Sequence, residues 1–242
     1  MNKIRKQREA VAAVKEYGGW VFYDWQFVDG RLVKGPQPPG PKWLRKLLGE
    51  EYFQEIAEVS LVRDPFAPNS FQPINNAKAD NLLLQLADLT NLKGVLLTGS
   101  QATDQGLKCL SQMENLENIV TVEATEVTDV GVFYLEKLSK LRDLHISYSN
   151  LTDAAIASIA KHPKLEQILV RGNRLTDAGL THLKDLECLQ VLDLADTGLT
   201  DVGLEELRLL AKLRIVCVGD TKVTEAGVQR LKAAMPHLRV IE

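Results

Sequence analysis

The amino-acid sequence predicts an α/β solenoid, a horseshoe in which every turn gives one strand to a parallel concave sheet and one helix to the convex side. Three observations predict it. Thr-Asp recurs at Thr103-Asp104, Thr128-Asp129, Thr152-Asp153, Thr176-Asp177 and Thr200-Asp201, with Thr224-Glu225 as a sixth copy, so that successive threonines lie 25, 24, 24, 24 and 24 residues apart. Apolar residues keep fixed offsets from that marker, as in Leu180, Leu183, Leu186, Leu189, Leu192, Leu194 and Leu199. The first 55 residues lack the pattern and carry all three tryptophans, which sets them apart as an α+β cap. A fixed period in the twenties means that each turn cannot bury its own apolar face and must stack on its neighbours.

The cap, residues 1–55, comes first. Ile4, Val11 and Val14, with alanines between them, predict an amphipathic helix over Lys3 to Tyr17, ended by Gly18-Gly19. The aromatic and β-branched run from Trp20 to Val28, then Asp29-Gly30 and Arg31 to Val33, reads as a hairpin. A proline-rich turn (Pro36, Pro38, Pro39, Pro41) leads to a short helix from Lys42 to Leu48 with Gly49 behind it. An exposed terminal turn would leave its apolar edge in water, so Trp20, Trp25 and Trp43 are expected to anchor a cap over it.

The solenoid follows, residues 56–242. Ile56, Val59 and Leu61 fit a lone strand over 56–62, joined by an irregular stretch, 63–78, to repeats that run from Ala79 to the end. Within a repeat, leucines every three residues suit a helix or a tighter 3₁₀ turn, whereas Leu192 and Leu194 alternate as strand residues facing the core. The second repeat has one extra residue, expected as a bulge near Val120 to Val122, and the last has one around Pro236, with Leu231, Leu238 and Ile241 continuing the core pattern.

The recurring polar residues have structural explanations. Threonine before a helix is expected to accept the N–H of the third helical residue, and the following acid to meet the positive end of the helix dipole. Glycine three positions after threonine, at Gly106, Gly131, Gly179, Gly203 and Gly227 with Ala155 in the remaining turn, is expected to let helix and sheet approach closely. Ser100, Thr125, Ser149, Asn173, Thr197 and Thr221 are expected to form an internal ladder that satisfies backbone groups after each strand. Asn150-Leu151-Thr152 matches a glycosylation acceptor, but Thr152 already has a capping role.

Composition narrows the function classes. A net charge of −3 and a pI near 5.9 argue against nucleic acid as the main partner. No apolar run reaches the ~20 residues of a membrane-spanning helix, and a cytoplasmic location is expected for the chain as written. Cys109, Cys188 and Cys217 occupy different repeat positions, which disfavours a disulfide framework, and no metal, phosphate-loop or nucleophile-elbow spacing occurs. No cofactor is expected. His162 stands where other repeats place leucine and reads as a structural histidine. Lys3, Arg5, Lys6 and Arg8 form a basic cluster that reads as a solvated helix face, or as a weak contact with anionic membrane.

Leu175-Thr-Asp-Ala-Gly-Leu and Leu199-Thr-Asp-Val-Gly-Leu resemble the cysteine-containing class of leucine-rich repeats found in F-box-type substrate receptors and many bacterial proteins. The resemblance covers Ala79 to Glu242 and implies a leucine-rich-repeat solenoid; no F-box-like pattern occurs in the first eighty residues. Gln7-Arg-Glu-Ala-Val-Ala-Ala-Val, Gly18-Gly19-Trp20 and Pro41-Lys-Trp-Leu-Arg-Lys-Leu-Leu-Gly are similar to the leader of a group of bacterial leucine-rich-repeat proteins. In that group a membrane segment often precedes the basic helix, which implies a membrane anchor if the natural chain has one upstream.

Function is then expected on the concave sheet. With Leu192 and Leu194 inward, the outward set is Val191, Asp193 and Ala195, and the same frame gives Glu58, Ser60 and Val62; Gly94, Leu96 and Thr98; Asp143, His145 and Ser147; Gln167, Leu169 and Arg171; and Ile215, Cys217 and Gly219. Asp143, His145, Tyr148, Gln167, Leu169, Arg171 and Asp193 make the richest patch, and predict a monomeric, non-catalytic scaffold that binds a protein. The alternatives are a small-ligand or enzymatic module at the aromatic cap, and a substrate-receptor subunit of a larger assembly.

Overall fold

The computed structural model describes residues 2–28, 31–32, 38–39, 42, 45–46, 55–60, 76–97 and 102–242. After helix α1 (Asn2–Glu16) come strand β1 (Trp20–Tyr23), the hairpin strands β2 (Phe27–Val28) and β3 (Arg31–Leu32), and β4 (Ile56–Ser60). Helix and strand then alternate: α2 (Asn76–Leu86), β5 (Gly94–Leu96), α3 (Asp104–Leu110), β6 (Asn118–Val122), α4 (Asp129–Leu135), β7 (Asp143–Ser147) and α5 (Asp153–Ile159). They continue as β8 (Gln167–Leu169), α6 (Asp177–Leu180), β9 (Val191–Asp193), α7 (Asp201–Glu206), β10 (Ile215–Cys217), α8 (Glu225–Ala234) and β11 (Arg239–Ile241). The expected fold class holds. Strands β4 to β11 lie side by side in chain order, all parallel, and β1 joins β4 antiparallel at the first edge.

Between sheet and helices runs one continuous apolar core. In the clearest turn Leu180, Leu183, Leu186, Leu189, Leu192, Leu194 and Leu199 are all buried. Burial continues from Ala10, Val11 and Val14 of α1 to Leu238, so the cap helix and the solenoid share that core.

A polar interlock joins the turns. Asp104 accepts both the Thr128 N–H (2.8 Å) and its hydroxyl (2.7 Å), and the pairs Asp129–Thr152, Asp153–Thr176, Asp177–Thr200 and Asp201–Thr224 repeat that geometry. Asp80 does the same for Thr103 although alanine precedes it. The aspartate therefore faces the next turn's threonine instead of serving only its own helix dipole. Each threonine caps its helix from the second helical residue, Val130 N–H to Thr128 for example, and only Thr224 reaches the third, Gly227.

The glycines serve this interlock and not a helix-to-sheet contact. A Cβ at Gly106, Gly131, Gly179, Gly203 or Gly227 would collide with the carboxylate of the preceding turn's aspartate. Ala155 shows that one methyl can be accommodated, since Asp129 still holds Thr152 at 2.8 and 2.6 Å.

Strands β6 to β10 each leave the sheet through a left-handed residue: Glu123, Tyr148, Gly172, Asp196 and Asp220 have φ of 62°, 53°, 68°, 54° and 56°. Their backbones stay in register across turns, Tyr148 N–H donating to Arg171 O at 2.8 Å and Gly172 N–H to Ala195 O at 3.0 Å. This row corrects several expectations. The extra residue of the second repeat lies after Glu123, because β6 and β7 pair without a register shift. The expected ladder also slips there: Ala124 is buried and Thr125 is exposed. Elsewhere Thr197 and Thr221 bond their own strand ends, and only Asn173 spans turns, donating to Ile146 O and accepting from Leu151 N–H. Ser100 lies outside the described residues. In the last turn Val240, paired with Val216, takes the core side and Ile241 is exposed, because β11 pairs with β10 at the ordinary 24-residue offset and the extra residue near Pro236 is absorbed before the strand.

The cap departs furthest from expectation. The run from Trp20 to Val28 is broken by a 3₁₀ turn at Asp24–Gln26, so β1 extends the main sheet while β2 and β3 form a separate ribbon. Trp20 is 41% exposed and Trp25 stacks on Tyr23 at 6.4 Å; Ala10, Val11 and Val14 form the anchor in the core instead, with Val21 packed against that core. Trp43 and most of the proline turn and following helix lie outside the described residues, as does the stretch 61–75. In the basic cluster Lys3 pairs with Glu55, Arg5 with Glu9 and Lys6 with Asp88, so much of its charge is internally balanced.

Two outcomes test this account. Asp153→Ala removes both bonds to Thr176 and should lower stability by about 1–2 kcal/mol in urea unfolding, with little change in m. His162 is 2% exposed and its Nδ1 lies 3.1 Å from Leu138 O. Burial pushes its pKa down, so the unfolded chain takes up a proton first and stability should fall as pH drops below about 6.5. His162→Leu, which restores the residue found at Leu138, Leu186 and Leu210, should flatten part of that slope.

Candidate functional site on the concave sheet

Strand register assembles the central patch. Asp143 pairs with Gln167 and Gln167 with Val191, while one step along His145 pairs with Leu169 and Leu169 with Asp193. Side chains alternate across a strand, so these two rows face the concave side while Leu144, Ile168 and Leu192 face the core. Tyr148 and Arg171 complete the patch from just beyond the strands. All seven residues named from the sequence reach the surface, Gln167 and Tyr148 exposed and the others partly so. The wider outward set needs correction: Ser60, Gly94, Ser147 and Ala195 are buried, Gly94 beneath the Glu58 side chain. Val62 and Thr98 lie outside the described residues.

Tyr148 stands out. The same left-handed position is filled by Gly172 or by acidic residues in other turns, and a bulky side chain there costs roughly 1–3 kcal/mol of backbone strain. Its ring lies against Gly172, where an added Cβ would come within 2.7 Å of Cε1. The Arg171 guanidinium sits over the ring, 6.0 Å from its centroid, and Arg171 Nη2 donates to Asp220 Oδ2 at 3.3 Å. Asp220 was invisible as a member of this group from sequence spacing, since it comes from two turns further on. The stack presents a rigid aromatic and a cation with little rotamer freedom left to lose, the combination favoured at binding hot spots.

The electrostatics run along the sheet. Burial raises the Asp143 carboxyl above its usual range, aided by Glu166 and Glu117 and opposed by Arg142. Burial also raises Glu58, which lies across Gly94 toward Asn118. His145 is pushed down by burial against the pull of Asp193, so the imidazole is neutral at pH 7 and offers both a donor and an acceptor. Where the strands begin, Arg142 is held between Glu117 and Glu166. Leu96, Val120, Leu169, Val191 and Ile215 form a half-exposed apolar band through the middle.

Among the described residues no group of three or more His, Cys, Asp or Glu is placed to hold a metal ion, and no helix is long and apolar enough to cross a membrane. The three cysteines are unpaired and partly buried. A cavity of about 320 Å³ lies between α1 and the turn after α2, lined by Lys3, Lys6, Gln7, Glu55 and Asp88; neither Trp20 nor Trp25 lines it.

A family profile described as Leucine Rich repeat matches residues 185–207, the stretch through β9 and into α7. The crystal structure of an internalin C2 from Listeria monocytogenes is similar over 76% of this chain and 80% of its own, with a TM-score of 0.53 and 21% sequence identity. No curated protein matches the chain closely enough to count as a relative. At that identity the likeness concerns the fold: the molecule is a leucine-rich-repeat solenoid.

Gly172→Ala should be tolerated poorly. It places a Cβ at positive φ and against the Tyr148 ring, and is expected to cost about 1–3 kcal/mol and to shift the Tyr148 ring resonances in NMR spectra.

Proposed function

We propose that the protein is a non-catalytic, monomeric scaffold that binds a protein partner through Asp143, His145, Tyr148, Gln167, Leu169, Arg171 and Asp193. One observation carries the reading: a tyrosine is kept in a strained left-handed position at which other turns use glycine or an acid, and its ring supports Arg171 at the surface. A position that only turned the chain would favour the smaller residue. The fold supports the same class of function, because a concave parallel sheet offers a long contact surface. The apolar band supplies area, and the flanking charges supply orientation. The finer likeness of the repeats to the cysteine-containing class, and of the leader to a bacterial group, belongs to this proposal and points to a bacterial protein acting in a cytosol-like compartment or beneath a membrane anchor. The cap closes the first turn; among the described residues the cavity between α1 and the turn after α2 has no aromatic lining, which gives the ligand-site alternative less support.

Affinity capture with cross-linking mass spectrometry from the source cells tests the reading. The His145→Ala, Tyr148→Ala, Arg171→Ala variant should keep its circular dichroism spectrum and lose a protein that the unaltered chain captures. Equal capture by both would remove the central patch from the binding surface.

A further inference from the structure

Several of the cations on the solenoid are paired internally. Arg142 lies between Glu117 and Glu166, Arg171 reaches Asp220, Arg208 pairs with Glu205, and Arg230 pairs with Asp201. One corner differs. Lys212, Arg214 and His237, together with Gln190 and Ala211, line an open hollow of about 490 Å³ where β9 and β10 begin. Arg239 adjoins it, since its backbone N–H donates to Arg214 O at 2.8 Å and it pairs in register with Ile215. All four basic or imidazole side chains are exposed, and none forms an ion pair among the described residues. In a chain of net charge −3, this is an uncompensated positive site.

Its position ties it to the binding face. Arg239 belongs to the same outward row as Asp143, Gln167, Val191 and Ile215, so a segment crossing the concave sheet from the centre toward β11 runs into the corner. The face is polar in charge along that line: Glu58 and Asp143 lie toward its first strands, and the free cations toward its last. Gln190 adds a neutral donor at the inner wall of the hollow.

We propose that Lys212, Arg214, His237 and Arg239 bind an acidic segment of a protein partner, taking two or three carboxylates of an extended chain. The proposal rests on the scaffold reading for the class of partner and adds the charge of the segment and its direction across the sheet. Arg239 follows Ile215 in the outward row about 5 Å further along the sheet, and Arg214 directly precedes Ile215 at the strand start, so an extended segment passing this corner can bring different carboxylates to the two. A nucleic-acid backbone fits less well. It needs a continuous stripe of cations, and the strand starts leading away from this corner carry Glu166 and Glu117.

The test uses a fluorescently labelled hexaglutamate peptide titrated with the full chain at about 20 mM salt, where rim electrostatics are least screened. The peptide should bind, and binding should weaken at least about tenfold in the Lys212→Glu, Arg214→Glu variant and again on raising salt to about 200 mM. Lys212→Gln, Arg214→Gln, which removes charge without adding repulsion, should also weaken it and serves if the reversal disturbs folding. The His145→Ala, Tyr148→Ala, Arg171→Ala variant should retain the peptide within about threefold, which separates failure of the corner from failure of the central patch. Absence of peptide binding at low salt, binding unaffected by either charge variant, or tighter binding of a single-stranded oligonucleotide than of the peptide would each overturn the proposal.

Discussion

The bidentate grip of one turn's aspartate on the next turn's threonine is the contact on which the rest of this solenoid depends. Apolar burial supplies most of the driving force, but leucine against leucine leaves neighbouring turns free to slide or rotate slightly. The Asp–Thr pair removes that freedom. It uses both carboxylate oxygens, one for a backbone N–H and one for the hydroxyl, and so fixes distance and angle together. The same threonine then caps its own helix, so one residue links the packing of two turns to the start of a third element. Glycine at the facing position is a consequence, left bare so that the carboxylate can enter.

That regularity positions the concave patch. Because strands β5 to β11 begin at the same height, Asp143, Gln167 and Val191 fall in one row and His145, Leu169 and Asp193 in the next. The exceptions are therefore informative. Tyr148 breaks the composition of the turn row, Asp220 reaches back across two turns to Arg171, and the cations around Arg214 have no internal partner. A surface that only solvated the fold would repeat like the core beneath it.

How much of this was legible in the sequence depends on the range of the interaction. Strands, helices and the core leucines follow from local periodicity, and their register could be read from Thr103 to Thr224. The seven concave residues could be named because alternation along a strand decides which face each takes. Contacts between turns could not. Nothing in Thr-Asp says whether the carboxylate serves its own helix or the next, and nothing in the spacing of Ser147 or Ala195 says that they are buried where Asp143 and Asp193 are not. The single added residues misled for the same reason: after Glu123 and near Pro236 the offset is visible, but where the chain absorbs it depends on three-dimensional pairing. The tryptophans of the cap illustrate the converse, since Trp20 is apolar enough for a core yet lies on the other face of an edge strand on which Val21, paired with Val59, takes the core side.

The interlock also has a direction. Each aspartate belongs to the earlier turn and each captured threonine to the later one, from Asp80–Thr103 through to Asp201–Thr224. A completed turn thus presents a ready acceptor before its successor exists, and a newly emerging turn brings the donors. Growth by addition at the carboxy-terminal side finds a preformed template at every step, whereas growth in the opposite sense would offer donors with nothing to receive them. The arrangement suits a chain that leaves the ribosome from its amino terminus, each turn docking on the one already made.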